Sequence, residues 1–66
     1  VNYKGIVSSK EGQMFKVFIK EKAYLTGLIP RCVDVSDLQV GDEVVVSFFG
    51  NNLIDGAIVG LIKRGG

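Results

Sequence analysis

The sequence has no histidine and no tryptophan, and only one cysteine, one proline and one methionine. Without histidine, neither a Ser-His-Asp triad nor a Cys-His dyad can be assembled. Cys32 has no second cysteine to pair with, and one thiol without histidine is too small a ligand set for a structural zinc. No glycine-rich phosphate loop with its lysine is present, and no GxGxxG turn. No stretch approaches the ~20 apolar residues needed to cross a bilayer. The opening residues, Val1 to Gly5, lack the apolar core of a signal peptide. These absences predict a protein that is not an enzyme, takes no cofactor or metal, has no membrane partner and resides in the cytoplasm.

Charge is also in short supply. Eight Lys and Arg face seven Asp and Glu, for a net charge of +1. Nucleic-acid binders are usually far more basic. What the chain has instead is apolar residues: 47% are hydrophobic and mean hydropathy is +0.32. A domain of this size buries only about 60% of what its unfolded chain exposes. So small a domain with so many apolar residues is expected to gain burial by association.

Short apolar segments separated by turn residues give the all-β signature. The spacing predicts five strands, at residues 2–8, 13–20, 23–29, 42–49 and 53–63. Ser9-Lys10-Glu11-Gly12 predicts a three-residue hairpin loop, and Gly50-Asn51-Asn52 a tight one. The second strand has the cleanest alternation: Phe15, Val17 and Ile19 on one face, Met14, Lys16, Phe18 and Lys20 on the other. Ser36 followed by Gln39 is a capping-box pattern. It predicts one short helical turn between the third and fourth strands, with Leu38 plugging an end of the barrel. Gly5, Gly27, Gly56 and Gly60 interrupt strand patterns, as expected where strands bend or bulge, or where neighbours need room. The expected fold is a small five-stranded Greek-key barrel of the OB type, one domain over residues 1–64, with 65–66 as a flexible tail.

Asp34, Asp37, Asp42 and Glu43 cluster in sequence, but Asp in such a position more often caps backbone N–H groups than binds a cation. Cys32 beside Arg31 reads as a small core filler. The sharper signal lies in the last two strands, which are apolar on both sides. If Val44, Val46, Phe48 and Ile58 point inward, Val45, Phe49, Val59 and Leu61 face outward and form an interface. The expected partner is a second copy, in a closed homo-oligomer, or another structural protein. The alternative is a single-stranded nucleic-acid site, in which Lys16, Phe18, Lys20 and Tyr24 interleave charge with stacking surface.

The C-terminal half carries a family pattern. Leu38-Gln39-Val40-Gly41-Asp42-Glu43-Val44-Val45-Val46 runs into Phe48-Phe49-Gly50-Asn51-Asn52 and then Asp55-Gly56-Ala57-Ile58-Val59-Gly60-Leu61-Ile62. It resembles the OB-fold segment of phage tail and baseplate spike proteins, and Lys4-Gly5-Ile6-Val7 resembles their first strand. The Trp often found on a middle strand of that family has no counterpart here. The resemblance implies a structural role in symmetric assembly without catalysis, as a small tail component that is virion-associated if phage-derived.

Overall fold

Alternation of inward and outward side chains frames the protein. The computed structural model describes residues 1–65. Among them run β1 (Asn2–Glu11), β2 (Met14–Ile19), β3 (Tyr24–Leu25), β4 (Ile29–Pro30), β5 (Glu43–Phe48) and β6 (Gly56–Lys63). They form one antiparallel sheet in the order β3-β2-β1-β5-β6, with β4 also pairing with β2. The long strand β1 is central, bonded to β2 on one side and β5 on the other.

One face of this sheet curls around the core. Phe15, Val17 and Ile19 of β2 are fully buried, as are Val44 and Val46 of β5, and Phe48 is almost so. Val7, Ile29, Val35, Leu38 and Ile58 complete the cluster. Each such side chain contributes roughly 1.5–3 kcal/mol on burial. Tyr3, Tyr24, Cys32, Leu53 and Leu61 pack against its margin.

The architecture departs from the expected five-stranded barrel in two respects: there are six strands, and the barrel is not closed. The segment expected as one strand over residues 23–29 is split. Thr26 is the cause. Its buried hydroxyl accepts the Val17 N–H at 3.0 Å and donates to the Gly27 carbonyl. A side chain thus replaces a rung of the backbone ladder, and pairing resumes only at Ile29. Beyond Pro30, contact with β6 amounts to one parallel bridge, Arg31 to Ile58, and the Cys32 N–H bonded to the Ile58 carbonyl. Past that point a gap of about 300 Å³ lies between Asp34, Val35 and Ser36 on one side and Val59, Gly60 and Leu61 on the other.

The expected helical turn at residues 36–39 does not form. Asp42, not Ser36, takes the Gln39 N–H, at 2.9 Å, so the capping box loses its reason to wind. Leu38 is nevertheless buried in the core. Among the described residues the one helical turn is 3-10, at Lys20–Lys22, between β2 and β3. The first hairpin is tighter than expected: Glu11 pairs with Met14 around Gly12 and Gln13, with Gly12 at a positive φ of 61°. The last is longer. Asn52 accepts the N–H of Ile54, bending the chain, and β6 starts at Gly56 and not at residue 53.

Two register shifts reshape β6. Val46 pairs with Ile58 but Val45 with Gly60; Val44 pairs with Leu61 but Glu43 with Lys63. Each shift adds a residue to β6 and resets which side chains face the core.

Candidate docking surface

Residues paired directly across a sheet lie on the same face. Leu25 pairs with Phe18, Phe18 with Ile6, and Ile6 with Glu43. Three apolar side chains therefore stand in one row across β3, β2 and β1, on the face away from the core. Leu25 is 47% exposed, Phe18 41% and Ile6 42%. A large apolar side chain half open to water is ordinary when single; three in direct register form a patch.

The row borders a concavity of about 580 Å³. Ile6 and Phe18 line it, with Lys4, Lys20, Glu21 and Glu43 around them. Gly5 forms part of its wall, since β1 must pass close over Val17 and Phe18.

The four expected interface residues do not share one surface. Val45 is half-buried and lies between Lys4 and Gly60. Phe49 is exposed just past the end of β5, and Val59 is exposed on β6. Leu61 is turned inward: the register shift pairs it with fully buried Val44, and it packs against the core. Ile62, one residue on, is exposed.

The four residues of the nucleic-acid alternative are divided in the same way. Phe18 and Lys20 sit together in the groove, and Lys16 is half-buried further along β2. Tyr24 is on the opposite face. It pairs with buried Ile19, and its hydroxyl donates to the Leu53 carbonyl at 3.0 Å. Of the two aromatics expected there, Phe18 alone lies on this face. Ile6 and Leu25 were missed in the sequence, although Gly5 and Val7 facing inward would have placed Ile6 outward by simple alternation.

The polar groups elsewhere are engaged in holding the fold. Buried Asp42 accepts the N–H groups of Gln39 and Gly65 and a bond from Arg64. The Gly65 and Gln39 amides hold its carboxyl below the usual carboxylate value, against burial, with help from Arg64. Asp37 lies low for a simpler reason, the Lys10 ammonium at 3.2 Å. Arg31 donates to the Val35 carbonyl and the Gln13 side chain. Among the described residues no three His, Cys, Asp or Glu are grouped to hold a metal ion, and no helix is long and apolar enough to cross a membrane. What this arrangement offers chemically is a shallow, apolar, mixed-charge contact surface. No family model matches the chain, and no curated protein or solved structure matches it either.

Proposed function

We propose that the chain is a non-enzymatic assembly module that associates with further copies of itself through the outer face of its sheet. The observation that carries this reading is the exposed row of Ile6, Phe18 and Leu25. Covering the part of two such side chains that is still exposed, between two-fifths and half of each, contributes about 1–3 kcal/mol in total, which exceeds the roughly 0–1 kcal/mol of a surface charge pair beside them. The resemblance of residues 38–62 to phage tail and baseplate segments agrees with a structural role in a symmetric assembly, cytoplasmic or carried in the virion. The neighbour pattern, with β1 between β2 and β5 and β4 approaching β6, fits an open OB-like sheet.

A second reading has one observation in its favour: Lys4, Lys20 and Phe18 share the groove. On that reading the module binds a single nucleic-acid strand. Glu21 and Glu43 in the same groove oppose it, and so does the withdrawal of Tyr24. Light scattering at high micromolar concentration, paired with anisotropy of labelled single-stranded DNA and RNA at low salt, separates the two. A discrete oligomer without strand binding supports assembly. A monomer whose salt-dependent binding follows counterion release contradicts it.

A further inference from the structure

We infer that a second copy of this chain covers the row of Ile6, Phe18 and Leu25 in a two-fold contact across β1, β2 and β3, and not across β5 and β6. The inference rests on the self-association proposed above and assigns it a surface and a symmetry. Continuity of the apolar face is the first reason. On β1, β2 and β3 the row is unbroken. On β5 and β6 the corresponding rows are Glu43 with Lys63, Val45 with Gly60, and Ser47 with Ala57. These rows contain one large apolar side chain, Val45, because Leu61 packs on the core, exposed Val59 and Ile62 fall at the two register shifts, and exposed Phe49 lies past the end of β5, so none of them extends a row.

Charge selects the occupant. The groove carries two cations, Lys4 and Lys20, and two anions, Glu21 and Glu43. A two-fold axis lays a patch on itself, so that residue i meets j and j meets i. A patch of one sign would repel its copy, whereas this one holds both signs in equal number. Net charge of +1 adds almost no repulsion between copies. A nucleic-acid strand, negative along its length, would meet both glutamates.

Size agrees. A standard interface removes about 800 Å² from each partner. The chain exposes 4068 Å², so such a contact would cover about a fifth of it.

The test is light scattering of the full chain across the micromolar range, wild type against Phe18→Lys, Leu25→Lys and Val59→Lys, with circular dichroism to confirm folding. The wild type should dimerise with concentration. Phe18→Lys and Leu25→Lys should each weaken the dimer about tenfold or more, as central apolar contacts do. Val59→Lys should leave it within about twofold, as expected outside the contact. Should Phe18→Lys fail to fold, Leu25→Lys on the short strand β3 carries the same reading. An oligomer that survives both lysines on β2 and β3 but is lost in Val59→Lys would overturn this inference and leave self-association standing. A ladder of higher oligomers would overturn the two-fold contact. A wild type that stays monomeric throughout would overturn the self-association reading itself.

Discussion

The Arg64 guanidinium reaches the buried carboxylate of Asp42 at 3.0 Å, so the residue after β6 is tied to the residue before β5. Two backbone amides, Gln39 and Gly65, close on the same carboxylate. The two ends of this knot differ in exposure, because Asp42 is buried while Arg64 is largely open to water. Asp42→Ala should therefore cost about 2–4 kcal/mol in urea denaturation, since each of the two part-buried amides loses its acceptor at about 1–2 kcal/mol, the lower part of the range for buried groups. Arg64→Ala should cost less than about 1 kcal/mol, the range of solvated ion pairs. Equal losses in the two variants would contradict the assignment of the amides as the main partners.

The same carboxylate sets a pH dependence. The pKa of Asp42 is lowered in the folded chain, chiefly by the amides of Gly65 and Gln39. A group lowered on folding stabilises above its unfolded pKa and loses that contribution as pH falls through its folded one. Stability should be level above the ordinary carboxylate value of 3.8 and fall below it. Asp42→Asn should be less stable at neutral pH and show a shallower acid limb. Urea midpoints measured from neutral pH to pH about 2 check this, the span over which carboxylates titrate.

Gly5 on β1 lies against Val17 so closely that an added β-carbon would overlap the Val17 Cγ1 methyl and touch the Phe18 carbonyl. Gly27, by contrast, has open space around it. Gly5→Ala should destabilise by about 1–3 kcal/mol, the usual cost of overpacking. Gly27→Ala should be near neutral. Thermal melts of the two variants side by side decide the point.

Thr26→Val keeps the shape of the side chain and removes the acceptor for the Val17 N–H. Leaving that buried amide unpaired should cost about 1–3 kcal/mol. Hydrogen exchange at the Val17 amide should quicken with it. Unchanged protection there would show that the hydroxyl is not the rung it is taken to be.

Legibility in the sequence followed the range of the interactions. Period-two alternation grouped Phe15, Val17 and Ile19 on one face of a strand, and likewise Val44, Val46 and Phe48, because each strand's pattern is local; the assembled sheet buries both groups. The breaks came from side-chain and cross-strand partners that lie outside a strand's own alternation. Thr26 splits a strand by bonding to Val17. Asp42 claims the Gln39 N–H that Ser36 was expected to take. The shifts in β6 exist only in its pairing with β5, so Leu61 read as outward and lies inward. The same limit hid the candidate contact surface. Phe18 was visible as an outward residue, but its alignment with Ile6 and Leu25 is a property of the assembled sheet. Gly56 shows the local and the distant together: its missing side chain makes room for the Phe48 ring.

The central claim is self-association through the outer face of β1, β2 and β3. The most direct measurement is a concentration series of amide chemical shifts on the uniformly labelled chain. Shifts should move with concentration at Ile6, Phe18, Leu25 and the groove residues Lys4 and Lys20, while Val59, Gly60 and Ile62 stay fixed. Shifts that do not depend on concentration, or that move only on β5 and β6, would contradict the account.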